Sequence, residues 1–120
     1  MKVCISGYYG SQNTGDELLL QVMREGITRA LGEVEFNVLA AAPHIVRDLH
    51  PELGRIGPNT GWQGPKKIKA PPSANKDARE ILRESDLLVL GGGGLMGHDC
   101  VYNYNEVQFC HKHGIPVVAL

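Results

Sequence analysis

Val3-Cys4-Ile5-Ser6-Gly7-Tyr8-Tyr9-Gly10-Ser11-Gln12-Asn13-Thr14-Gly15-Asp16-Glu17 reads as a short apolar strand, a glycine-rich turn and the opening of a helix. In α/β proteins that junction is where ligands bind, because backbone N–H groups lie open there and the helix N-terminus favours negative charge. Gly10 and Gly15 have the spacing of a P-loop, but Asp16 and Glu17 stand where a lysine and a hydroxyl residue belong. A carboxylate in the place of the phosphate-binding lysine argues against a nucleoside triphosphate. The dinucleotide fingerprint G-x-G-x-x-G is absent too, and no acidic residue closes the second apolar run at Ala40-Ala41-Ala42. An NAD-dependent oxidoreductase is therefore the weakest reading of the loop.

Working outward, residues 2–6 predict a buried strand and residues 16–31 a helix. That helix is expected to bury Leu19, Leu20, Met23, Ile27, Ala30 and Leu31, with Glu17, Gln21, Arg24, Glu25 and Thr28 opposite. Gly32 fits the residue just past its end. Residues 35–41 predict a second strand, stopped by Pro43. Residues 50–75 read as a long Pro/Gly-rich loop, with a helical turn before it near Ile45–Leu49 and an extended piece at Arg55–Gly57. Asn75 then reads as the N-cap of a helix over Lys76–Glu84 that buries Ala78, Ile81 and Leu82.

Asp86-Leu87-Leu88-Val89-Leu90 is a continuous apolar run, as a central parallel strand requires, and it ends in Gly91-Gly92-Gly93-Gly94. A helix over Asn103–His113 follows, burying Val107 and Cys110, and Gly114 ends it. The last strand is Ile115–Leu120. Alternating elements of this kind imply an α/β fold: a Rossmann-like, doubly wound parallel sheet of about four to five strands. In the commonest strand order the first and fourth strands are neighbours. The turns after Ser6 and after Leu90 would then share one crevice at the carboxyl ends of the strands.

Composition sets wide bounds. A chain of 120 residues, 42% hydrophobic and 21% charged, suits one globular domain. The net charge of −1 gives no basic field for nucleic acid. Cys4, Cys100 and Cys110 form neither a metal-ligand spacing nor a disulfide framework, which points to a reducing cytoplasm and no metal. No secretory leader and no transmembrane run is read. The strand that ends at Leu120 calls for a further helix over the sheet, so the expectation is the N-terminal part of a longer two-domain protein, or a chain that covers its open face with a partner.

Two blocks, Gly7-Tyr8-Tyr9-Gly10…Asn13…Gly15-Asp16-Glu17 and Asp86…Gly91-Gly92-Gly93-Gly94-Leu95…Asp99, with the closing Gly114-Ile115-Pro116-Val117-Val118, resemble the polysaccharide pyruvyl transferases. The resemblance runs over nearly the whole chain except its Pro/Gly-rich middle. It implies the N-terminal half of a GT-B-like architecture. It also implies transfer of a pyruvyl group from phosphoenolpyruvate, a donor substrate with no further cofactor, to a sugar of a cell-surface polysaccharide precursor. The basic residues expected to hold phosphoenolpyruvate belong to the missing C-terminal half. The sequence reads His98-Asp99 where relatives often carry a polar amide before the aspartate. The implied acceptor is a sugar or lipid-linked saccharide, and a peripheral membrane contact is open to such a chain.

The resemblance makes Asp99, Asp16 and His98 the catalytic candidates, since ketal formation needs an acid and a base. Tyr8, Tyr9, Gly10, Asn13, Gly15, Gly92, Gly93 and Gly94 are the substrate-binding candidates. Each has a plain alternative. The glycines serve tight turns, Asn13 its own turn, and Tyr8 and Tyr9 loop packing. Asp16 is favoured as a helix cap, and Asp99 as the substrate-facing carboxylate. Lys66, Lys67 and Lys69 read as a solvated face or as contacts to a lipid diphosphate. Trp62 reads as a packing plug or a sugar contact. His111 and His113 suit a helix C-terminus. The competing function is a stand-alone Rossmann-like module that binds a small anion or nucleotide, or dimerises, without catalysis.

Overall fold

The computed structural model describes residues 1–7, 14–40, 42–58, 72–91 and 104–119. In chain order the elements are β1 (Lys2–Ser6), α1 (Thr14–Leu31), β2 (Glu35–Ala40), α2 (Pro43–Leu49), β3 (Ile56–Pro58), α3 (Pro72–Arg83), β4 (Leu87–Leu90), α4 (Tyr104–Lys112) and β5 (Val117–Ala119). They form an α/β fold with a five-stranded sheet of order β3-β2-β1-β4-β5. Every neighbouring pair is parallel. This is the Rossmann-like, doubly wound arrangement, and its order reverses between β1 and β4.

The registers follow from β-branched and leucine-rich strands buried on both faces. Cys4 lies opposite Asn37 on one side and Leu88 on the other, and Ser6 lies opposite Leu39 and Leu90. Alternation along β1 sends Val3 and Ile5 to one face, where they pack with Leu20 and Met23 of α1, Val46 of α2, and Val38 and Val89. Cys4 points to the other face, with Leu39, Leu88, Ala78, Ile81 and Leu82 of α3, and Cys110 of α4. The helices therefore cover the sheet in pairs: α1 and α2 on one side, α3 and α4 on the other.

Several element boundaries differ from the sequence reading, each for a local reason. Pro43, expected only to end β2, opens α2, since proline suits a first helical turn whose N–H has no partner. The extended piece expected at Arg55–Gly57 is β3, one residue later, paired with β2 through Val38 and Ile56, while α3 begins at Pro72, inside the stretch read as loop. Asn75 therefore lies inside α3 instead of capping it. The helix also starts at Thr14, so Asp16 is its third residue. The cap position precedes Thr14, and Asp16 keeps only the charge of the first turn. Gly32, at φ 84°, does end α1 as expected, donating its N–H to the Thr28 carbonyl at 2.9 Å.

The face of α1 is narrower than its apolar pattern. Leu20 and Met23 are buried and Ile27 packs against them. Leu19, Ala30 and Leu31, expected inside, are exposed, and so are Leu18 and Val22. The helix meets the sheet along one stripe, and its apolar residues extend well past it.

Short polar links hold the edges. Lys2 and Asp86 join the amino ends of β1 and β4. The Lys2 amide donates to Asp86 Oδ2 at 2.8 Å, and the Asp86 amide donates to the Lys2 carbonyl at 2.7 Å. Asn37, buried in β2, accepts the Arg55 amide at 2.7 Å. Gly54 passes so close to the Asn37 side chain that a Cβ there has no room. Arg47 of α2 donates to the carbonyls of Leu53 and Gly54, which clasps the turn before β3.

Candidate functional site

The site is built from the carboxyl ends of β1 and β4. Ser6 lies beside Leu90 in the register, and the Gly91 amide donates to the Ser6 carbonyl at 3.0 Å. On the other flank the Gly7 amide donates to the Leu39 carbonyl at 3.1 Å. Gly7 and Gly91 are both buried. The two glycine-rich connections thus leave the sheet from adjacent strands, at the edge where its order reverses. That is where open α/β sheets take ligands.

Of the residues read as site candidates, Gly15 and Asp16 fall in the first turn of α1, with Gly15 exposed. The side chain of Asp16 lies outside what the structure describes. Tyr8, Tyr9, Gly10, Asn13, Gly92, Gly93, Gly94, His98 and Asp99 lie outside the described residues, as do Trp62, Lys66, Lys67 and Lys69.

The structure adds residues that pattern reading passed over. Glu106, the third residue of α4, is fully buried, and so is Ser6 at the end of β1. Helix α4 was expected to bury Val107 with Cys110. It instead buries Glu106 with Cys110, one turn apart, and leaves Val107 half-buried. The signal was available in that four-residue spacing, but a glutamate is not a residue one assigns to a core.

The surroundings of Glu106 are electrostatically distinctive. Cys4 is held protonated well beyond the ordinary thiol range, first by burial, then by the negative charge of Glu106 and by Cys110, against a hydrogen bond from Ser85. Cys110 is pushed up to about 11 by burial and then by Glu106. Both thiols are reduced and buried. Thiols in that state are poor nucleophiles and poor metal ligands. Among the described residues no group of three or more His, Cys, Asp or Glu side chains can hold a metal.

A second polar cluster lies on the flank of α1. His50, just past α2, brings Nε2 to 3.3 Å from Glu17 Oε2 and Nδ1 to 3.7 Å from Glu52 Oε1. Arg24 Nη1 donates to the same Glu52 oxygen at 2.6 Å and lies over the Phe36 ring. The backbone N–H of Glu52 and then Arg24 hold the Glu52 carboxyl below its usual range. Arg24, Phe36, His50 and Glu52 line a groove of about 630 Å³. Through Glu17 the cluster fastens the first turn of α1, and hence the returning end of the first glycine-rich connection, to α2.

No helix among the described residues is long and apolar enough to cross a membrane. In comparisons with known proteins, no family model, no curated protein and no solved structure matches the chain.

Proposed function

We propose that the chain is the N-terminal, acceptor-side domain of a cytoplasmic polysaccharide pyruvyl transferase. Its substrates are phosphoenolpyruvate and a sugar of a cell-surface polysaccharide precursor. The observation that carries the reading is the adjacency of β1 and β4. It brings the ends of both motif-bearing connections to one edge, as a shared site requires.

In the reaction, one sugar hydroxyl bonds to the central carbon of phosphoenolpyruvate while the methylene carbon takes a proton. Phosphate then leaves with its C–O electron pair, and a second sugar hydroxyl bonds to the same carbon to close the ketal. Of the two hydroxyl protons, one ends on the new methyl group and the other on phosphate. Asp99 is the candidate base for the sugar hydroxyl. Asp16 or His98 is the partner that supplies or returns a proton. The phosphoenolpyruvate site lies on the second half of the cleft, so the 120-residue chain alone is inactive.

The test is phosphate release from phosphoenolpyruvate in the presence of lipid-linked saccharide, measured for the protein encoded by the complete reading frame and for this chain alone. Release by the longer protein only is the expected result. Release by this chain alone would overturn the two-half arrangement, and no release by either would overturn the activity.

A second reading, a module that pairs with another copy of itself without catalysis, draws support from the exposed Leu18, Leu19 and Val22 on α1. Sedimentation of the chain separates the two. A dimer abolished by Leu18→Glu favours pairing, and a monomer at all concentrations removes it.

A further inference from the structure

A neutral imidazole carries one N–H, and only the imidazolium carries two. A ring whose two nitrogens both face carboxyl oxygens can therefore donate to both only when it holds the second proton. His50 is such a ring. Its Nε2 lies 3.3 Å from Glu17 Oε2 and its Nδ1 lies 3.7 Å from Glu52 Oε1. The His50 and Glu17 side chains keep only 14% and 20% of their surface exposed, so water and salt screen this pair less than a pair on the open surface.

The three residues belong to different parts of the α1/α2 flank. His50 closes α2, donating its backbone N–H to the Val46 carbonyl at 2.9 Å. Glu17 belongs to the first turn of α1, and Glu52 to the turn before β3. A cation at the end of α2 also meets the negative end of that helix.

Charges of both signs surround the ring. Arg24 of α1 reaches the same Glu52 oxygen at 2.6 Å, so Arg24 and His50 share one carboxylate. The Glu52 carboxyl is held below its usual range by its own backbone N–H and then by Arg24, so it stays ionised near neutral pH. Glu25 and Arg29, both exposed on α1, line the same groove, and β2 contributes the Phe36 ring. On α2, Arg47 is occupied by the Leu53 and Gly54 carbonyls.

We propose that His50 is a proton-dependent clamp between the two helices. With its second proton it ties both the first turn of α1 and the turn before β3 to the end of α2. Without that proton it donates to one carboxylate and releases the other. The attachment of the first turn of α1 is then stronger in mild acid than in mild alkali.

The test measures exchange protection of the Gln21 amide, which in an α-helix donates to the Glu17 carbonyl. It is measured at about pH 5.5 and about pH 8, on either side of the change of charge of an ordinary histidine. Protection is taken relative to the intrinsic rate at each pH. In the unaltered chain it falls about twofold to fivefold from the lower pH to the higher, the span of a partly screened ion pair. In His50→Gln it is the same at both. Glu17→Gln keeps the histidine, removes one of its carboxylates and abolishes the fall as well, so the test does not depend on how His50→Gln folds. His44, His111 and His113 are present in all three proteins and cannot produce the difference. Equal protection of the unaltered chain at the two pH values overturns the proposal, and so does an undiminished fall in either variant.

Discussion

The two faces of the sheet are built differently. On the α1/α2 face the core is hydrocarbon with the Met23 thioether: Val3, Ile5, Leu20, Val38, Val46 and Val89 meet with no polar side chain among them. On the α3/α4 face the sheet presents Cys4, Ser6 and Asn37, α4 returns Cys110 and Glu106, and the turn before β4 adds Ser85, all buried. One face holds the fold together by removing apolar surface from water. The other gives up part of that stabilisation to hold titratable and hydrogen-bonding groups in its interior. A parallel sheet permits this division because each strand sends alternate residues to opposite faces.

The largest expected effect tests the apolar face. Leu20→Ala removes a side chain with no exposed surface, and unfolding in urea is expected to show a loss of about 2–5 kcal/mol. A loss below about 1 kcal/mol would mean that α1 contributes little to the core.

The next effect belongs to the other face and depends on pH. The Cys110 thiol is raised from 9.0 to about 11 in the folded chain, so the folded state keeps a proton that the unfolded state releases. That stabilisation is complete below pH 9.0 and is lost as pH rises towards about 11. At one pKa unit per 1.36 kcal/mol the full loss is about 2.7 kcal/mol. Urea midpoints between pH 8 and 11 for the chain and for Cys110→Ala measure it, and equal slopes in the two would remove it.

The smallest effect has the opposite sign. Glu106→Leu replaces a buried acid with hydrocarbon and is expected to leave stability unchanged or raise it by about 1 kcal/mol. A rise in melting temperature sharpens the contrast between the faces. A loss of more than about 3 kcal/mol would make Glu106 a structural anchor, and the two faces would then differ less in purpose than in composition.

Residue pattern alone was a good guide to the interior strands. The runs Lys2–Ser6, Glu35–Ala40 and Leu87–Leu90 are apolar or β-rich and bounded by turn residues, and they are strands within a residue of the expected limits. Short or proline-bearing elements were read less fully, although the extended piece expected at Arg55–Gly57 is β3 within one residue. Strand β3 has three residues, two of them glycine and proline, and exists because Val38 and Ala40 offer it a ladder. Helix α3 begins before Asn75 because Pro72 suits a first turn, which the cluster of prolines around it hid. For the site, the glycine-rich connections leave the sheet from adjacent strands, and most of the residues read from them lie outside the described structure. Glu106 was passed over because core assignment from sequence follows hydrophobicity, and a glutamate at a core spacing looks like a solvent-facing residue.

Alternating apolar runs, with glycine-rich turns after the first and the Leu87–Leu90 strand, were sufficient for the α/β class and the parallel sheet, since local periodicity and connection length leave few other ways to bury such segments. Tertiary packing decided which side of α1 is buried and that the serine ending β1 and a glutamate of α4 are buried. Those outcomes depend on which elements meet, and long-range contacts between residues as distant in the chain as Ser6 and Gly91 leave no trace in local pattern.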